Sequence, residues 1–281
     1  MTEMRLDAHQ HFWRYDPDEY AWIDDTMEAI KSDFLPEHLA QEIKGAEIDG
    51  SIAVQARQTV EETAWLLELA QENDFIHGVV GWIPLTSLKC GKYLELYSLN
   101  PFFKGVRHVI QDEPDDEFIL REDFNQGISQ LKEYELVYEI LVYEHQLPQT
   151  IRFVDRHPHQ IFVLDHIGKP RIQEGLHPPW RKHIQLLAER DHVFCKLSGM
   201  VTEAGYDDWT AEQLTPYYEI VVEAFWPERI MFGSDWPVCL LAAEYQTWAG
   251  VVETWSAALS EHERQRILGE TASEVYKIAG S

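Results

Sequence analysis

Apolar positions along this chain fall into short runs that recur from end to end, each closed by a turn-forming or charged stretch. Eight runs read as strands: "MRLDAH", "GSIAVQA", "HGVVGWI", "KGVRHVI", "VYEILVY", "QIFVLDHI", "VFCKLSG" and "RIMFGSD". Most are apolar on consecutive positions and rich in β-branched residues, as strands covered on both faces should be. Between them the period lengthens. In "WRKHIQLLAERD" the residues Trp180, Ile184, Leu187 and Ala188 form one helical stripe. Pro178 and Pro179 stand just ahead of it, where a helix start accepts proline. "EETAWLLELAQEN" and "REDFNQGISQLKEY" repeat the pattern. Strands and helices in alternation imply parallel pairing through crossovers, and eight such units close into a (β/α)8 TIM barrel. No low-complexity linker interrupts them, so residues 1–281 are expected to form a single domain.

The connections are unequal. Helix-to-strand segments such as "ERDHVF" and "WPERIMF" are short. Strand-to-helix segments such as "FWRYDPDEYAWIDD", "QDEPDDEF", "GKPRIQEGLHPPW" and "GMVTEAGYDDW" are longer and carry Gly, Pro, aromatic and charged residues. In a barrel these longer loops build one face, and that face holds the site.

Candidate chemistry gathers at the ends of the strands that feed it. His9 and His11 close the first strand, and their spacing turns both the same way. An HxH pair is compatible with packing or surface roles, but its place at a strand end favours a site. The sixth strand brings His166 to the same rim, with Asp165 expected to point the opposite way; the eighth brings Asp235, which could act as acid/base, ligand or helix cap. In "GVRHVI" only one of Arg107 and His108 can look inward, and Arg107 is favoured because a guanidinium clamps carbonyl or carboxylate oxygens. Weaker candidates are Gln55, Ser198, Glu144 and His145. Trp13, Trp22, Trp82 and Trp236 lie near this end, either as core or as stacking surfaces for a sugar. No GxGxxG, Walker or GxSxG motif occurs, so nucleotide binding and a serine-elbow nucleophile find no support.

Composition narrows the class. The chain has 49 acidic and 23 basic residues, a net charge of −26, which disfavours nucleic acid and anionic membranes as partners. Three widely spaced cysteines, Cys90, Cys195 and Cys239, argue against a disulfide framework. The start "MTEMRLDAHQ" lacks a signal-peptide pattern and no apolar run approaches a membrane span, so a soluble cytoplasmic protein is expected, with homo-oligomerisation left open.

Taken in order, "LDAHQHFW", "VQA", "GVVGWIPL", "GVRHVIQDEPD", "VLDHIGKP", "KLSGM" and "RIMFGSDWPV" resemble the sugar-lactone hydrolase branch of the amidohydrolase superfamily, which includes L-fuconolactonases and L-rhamnonolactonases. One departure is Thr271 in "GETASEVY", where that branch carries an Asn-Ala pair. The resemblance implies the same barrel, hydrolysis of an aldonolactone, and a site of His9, His11, His166 and Asp235 with Arg107 beside them. The expected partner is a small sugar lactone. Asp235 would take the proton from the attacking water, while Arg107 and the histidines hold the developing oxyanion. His166 could instead protonate the ring oxygen that leaves. The expectation leans to chemistry without an obligatory metal. The alternative is one zinc on His9, His11, His166 and Asp235, since nitrogen and oxygen donors suit that ion. A metal-dependent hydrolase or decarboxylase and a non-catalytic sugar-binding barrel are the competing readings.

Overall fold

The structure is a computed structural model that describes residues 4–278; residues 1–3 and 279–281 of the single-domain expectation lie outside it. All eight expected strands form: Leu6–Gln10 (β1), Gly50–Val54 (β2), Ile76–Gly81 (β3), Phe103–Val109 (β4), Val137–Leu141 (β5), Phe162–Leu164 (β6), Val193–Leu197 (β7) and Ile230–Phe232 (β8). They lie in sequence order in one parallel sheet. The ends approach through a bridge between Gln10 and Trp236, where His11 N donates to Trp236 O at 2.7 Å and Asp235 N donates to His9 O at 2.8 Å. The result is a (β/α)8 TIM barrel.

The crossover helices are Pro36–Gly45 (α1), Val60–Glu72 (α2), Cys90–Tyr97 (α3), Glu122–Leu131 (α4), Leu147–Arg156 (α5), Pro178–Ala188 (α6), the short Met200–Ala204 (α7) and Ala211–Phe225 (α8), and Tyr245–Ser256 (α9) follows the last strand. Local chemistry starts several of them: the Thr59 hydroxyl accepts from Glu62 N ahead of α2, and Pro178 opens α6 where its missing N–H is not needed. The stripe of Trp180, Ile184, Leu187 and Ala188 on α6 is buried in the layer between sheet and helices. Inward-facing Ile52, Val54, Val80, Val137, Val163 and Met231 fill the barrel's lower half, and Ala272, Tyr276 and Ile278 from the chain's last segment close it. Thr271, the departure from the resembled pattern, is buried there and its hydroxyl donates to Glu228 O. With the lower half closed, the open end is the one formed by the long strand-to-helix segments, residues 11–35 above all. Among the described residues no helix is long and apolar enough to cross a membrane.

Candidate active site

Three histidines converge on one carboxylate oxygen. The Nε2 atoms of His11, His9 and His166 lie 3.4, 3.8 and 3.9 Å from Asp235 Oδ1. His9 and His11 come together because the β1 register slips between Asp7 and Gln10, where the Asp7 carboxylate accepts from His9 N at 3.1 Å and from Ser234 N at 2.8 Å. His166 and Asp235 both sit just past a strand end in the left-handed region, at φ 53° and 59°. That conformation is costly for residues with a Cβ and is retained where the surroundings over-determine it. Glycines make room. A Cβ on Gly199, itself at φ +65°, would stand 2.7 Å from the His166 ring, and one on Gly233 would stand 2.7 Å from His9 Cβ.

Each imidazole is oriented by its other nitrogen. His11 Nδ1 lies 2.8 Å from Val54 O, which can only accept, so Nδ1 carries the proton and Nε2 presents a lone pair. His166 Nδ1 pairs with Ser198 Oγ at 2.8 Å. His9 Nε2 faces Arg107 Nη1 at 3.2 Å, and its Nδ1 lies 3.3 Å from Asp165 Oδ1 and 3.1 Å from Lys196 Nζ. Burial holds His9 and His166 well below the ordinary histidine range and lowers His11 as well, so all three are neutral donors near pH 7. Burial alone would raise Asp235, but His166 and His11 more than offset it and its carboxyl lies below the usual range.

Beneath this cluster lies a charged layer. Arg107 does look inward, as expected, donating to Asp165 Oδ2 at 3.0 Å and to Gln55 O at 2.5 Å. His108 faces outward, stacked on Phe118 and paired with Glu113 at 2.7 Å. Asp165 corrects the expectation that it points away from His166. Both side chains reach the interior, because the strand ends at Leu164 and the left-handed backbone at His166 and Ile167 breaks the two-residue alternation. Lys196 and Glu139, which sequence reasoning missed, are fully buried here and 2.6 Å apart. Their signal was present: each is a charged residue in the inward register of a strand that is otherwise apolar.

A cavity of about 890 Å³ opens above, within the roughly 300–1,000 Å³ of small-molecule sites. Its floor is His11, Arg107, His166 and Asp235; its walls include Trp22, Arg57, Tyr143, Lys169, Glu203 and Tyr206. Of the four tryptophans singled out, only Trp22 lines it. Trp13 is fully buried among Tyr20, Trp22 and Phe34, Trp236 packs on Phe12 and Phe34, and Trp82 donates to His108 Nδ1 at 3.2 Å. His145 is exposed and pairs with Asp116 outside the cavity. Gln55 does not line the cavity either; its buried side-chain amide lacks a partner, and only its carbonyl reaches the cluster, through Arg107. Glu144 is committed to Arg171 at 2.8 Å. Sequence reasoning also passed over Lys169, in "GKP" just past β6, which lines the cavity 3.8 Å from Glu203.

The amidohydrolase family model matches residues 6–278. The chain belongs to the amidohydrolase family. It is 40% identical to an L-fucono-1,5-lactonase of Burkholderia multivorans, over 99% of this chain and 97% of that protein. It is 33% identical to an L-fucono-1,5-lactonase of Burkholderia ambifaria, over 98% of this chain and 96% of that protein. A crystal structure of an amidohydrolase from Burkholderia multivorans with bound zinc superposes with a TM-score of 0.95 at 40% identity, covering 98% of this chain and 99% of that one.

The donor set fits a divalent ion. Ligand atoms of His9, His11 and Asp235 lie within 4.8 Å of one another, and the His9–His11 and His11–Asp235 separations of 3.2 and 3.4 Å match the roughly 3.3 Å between donors of a tetrahedral zinc. With zinc in a similar protein, this favours the one-ion alternative over the expectation of no obligatory metal.

Proposed function

We propose that this amidohydrolase hydrolyses a sugar lactone to the free aldonic acid, with the six-membered lactone of a 6-deoxy sugar such as L-fucono-1,5-lactone as the first substrate to try. Supporting this are the two lactonases it resembles over nearly their whole length and a cavity floor that combines an ionised carboxylate, neutral imidazoles and a guanidinium. The observation that carries the reading is the convergence of three Nε2 atoms on Asp235 Oδ1 at the bottom of that cavity.

Asp235, ionised and facing the cavity, accepts the proton of the water that adds to the lactone carbonyl. Arg107, braced by Asp165 and the Gln55 carbonyl, donates to the oxygen as it becomes negative. When the tetrahedral carbon collapses, its bond to the ring oxygen breaks. Asp235 passes the proton it took from water to the neighbouring His166, which delivers it to that oxygen, so both residues end in the protonation they began with. A divalent ion held by His9, His11 and Asp235, with His166 adjacent, would supply Lewis acidity at the carbonyl and lower the pKa of the attacking water. Trp22 on the wall offers a face to the apolar side of the sugar.

Acid release from L-fucono-, L-rhamnono- and L-galactonolactones, followed with a pH indicator against the spontaneous rate, tests the reading. Enzyme-dependent release from at least one is expected. No release from any of them, with or without added zinc, would overturn it.

A further inference from the structure

The backbone just past β6 takes an unusual course where it meets the cavity. His166, Ile167, Gly168 and Lys169 follow one another in the left-handed region, at φ 53°, 50°, 72° and 43°, and Lys169 N donates to His166 O at 2.9 Å. They make one left-handed turn with the spacing of a 3₁₀ helix, in which residues i and i+3 share a face. His166 and Lys169 therefore leave the turn side by side, and both line the cavity. Three of the four residues carry a Cβ, so the turn is costly and persists because its surroundings fix it. Ile167 is fully buried, its carbonyl accepts from Trp180 Nε1 at 2.9 Å, and a Cβ on Gly168 would stand 3.1 Å from Leu147 Cδ2.

The turn delivers an ammonium group whose donors are uncommitted. Of the lysine and arginine side chains, Arg57, Arg107 and Lys169 line the cavity. Arg107 is anchored by Asp165 and Gln55 O, and Arg57 is closed on Glu19. Lys169 differs. Among the described residues its neighbours are Glu203 Oε1 at 3.8 Å and the Tyr143 ring, whose centre lies 5.5 Å from Nζ, and neither is within hydrogen-bond reach. Glu203 comes from α7, which starts at Gly199, the residue without a Cβ that packs on the His166 ring. A gap of 3.8 Å is too wide for a direct hydrogen bond but admits one oxygen at about 2.8 Å from each side. That oxygen must accept from the ammonium and donate to the carboxylate. A hydroxyl does both, whereas a carbonyl, an ether or a carboxylate can only accept.

We propose that Lys169 and Glu203 form a subsite that reads one hydroxyl of the sugar lactone, the ammonium donating to its oxygen and the carboxylate accepting its proton. This deepens the lactonase reading and rests on it. The substrate class follows from the pairing of charges. Arg57 with Glu19 and Lys169 with Glu203 leave each pair neutral, so a neutral polyhydroxylated lactone suits these walls. A carboxylated lactone would place its anion against Glu203 as well as Lys169, and it would have no proton to give.

The test measures kcat/KM on L-fucono-1,5-lactone and each of its monodeoxy analogues with wild type, Lys169→Met, Glu203→Met and the double variant, all checked for fold by circular dichroism. The double variant leaves no uncompensated charge, in case a single replacement disturbs the loop. In wild type one analogue is expected to fall about 10–100-fold below the parent lactone, the size of a hydrogen bond to charged groups. In the variants that ratio is expected to shrink towards one, while the ratios for the other analogues stay as in wild type. A uniform loss of activity with every ratio unchanged would make the pair structural and overturn the proposal. Calorimetric binding of L-fucose and its monodeoxy derivatives, which keep the ring hydroxyls but have no ester to cleave, reads the same ratios without turnover. If wild type hydrolyses no lactone yet binds the sugars with a ratio that the variants lose, the lactonase reading fails and the subsite stands. No ratio that depends on Lys169 or Glu203 in either assay would overturn the subsite.

Discussion

The Nε2 atoms of His9 and His11 stand 3.2 Å apart. His11 spends its proton on the Val54 carbonyl, so its Nε2 offers a lone pair, and the Lys196 ammonium, which can only donate, takes the lone pair of His9 Nδ1 and leaves the His9 proton on Nε2. That proton joins the two rings. A divalent ion shared with Asp235 would displace it and take both nitrogens. His11→Ala is therefore expected to weaken zinc binding by more than the roughly 10–100-fold that loss of an outer-shell partner costs. Competition with a fluorescent zinc chelator measures it, and unchanged affinity would remove His11 from the site.

The pH dependence follows from the directions of the shifts. Burial lowers His9, His11 and His166 below the ordinary 6.5, and Asp235 lies below 3.8. The groups that must be unprotonated for turnover are so across neutral pH. We expect kcat/KM to stay level from about pH 6.5 to 8 and to fall only at more acid pH. Stability follows the same sign. The folded-state values lie below the unfolded ones, so this contribution is complete above the unfolded histidine pKa of about 6.5 and is lost as pH falls through the folded values. An acid limb of kcat/KM centred above 6.5 would contradict the assignment of neutral imidazoles.

Arg107 reaches the cavity but is anchored from behind by Asp165 and Gln55 O. Its contribution should appear where charge develops. Arg107→Met is expected to lower kcat by about 10²–10³-fold with a much smaller change in KM, the size of losing an oxyanion donor. Steady-state kinetics separates the two parameters, and a pure KM effect would make Arg107 a binding residue only.

Gly199 tests the backbone that holds His166. An alanine there carries about 1–2 kcal/mol of left-handed strain, and its Cβ would lie 2.7 Å from the imidazole. Gly199→Ala is expected to lower both the thermal midpoint and kcat. A destabilised variant with wild-type kcat would show that the ring position has slack.

How far the sequence discloses this site depends on where regular geometry ends. His9, His11, His166 and Asp235 were legible because each closes an apolar run, and all the runs deliver their ends to one face. Asp165 escapes the alternation rule because the strand ends at Leu164 and the backbone turns left-handed at His166. Lys196 and Glu139 stayed hidden for the opposite reason. They lie inside strands, where a lone charge in an apolar run reads as an exposed interruption unless the barrel's inward register is followed. Ser198 stands at the rim, and Lys196 lies two residues before it on the same face. Nearness to a strand end does not place a tryptophan at the site: Trp13 and Trp236 brace the long first loop and the β8 turn, and of the four only Trp22 meets the cavity.

The central claim is that Asp235 activates water for attack on a lactone. Its most direct test compares kcat of wild type and Asp235→Asn on L-fucono-1,5-lactone, with zinc content measured in both samples. The account predicts a fall of about 10²–10⁴-fold, the usual contribution of a positioned general base. Near wild-type turnover in Asp235→Asn would contradict it.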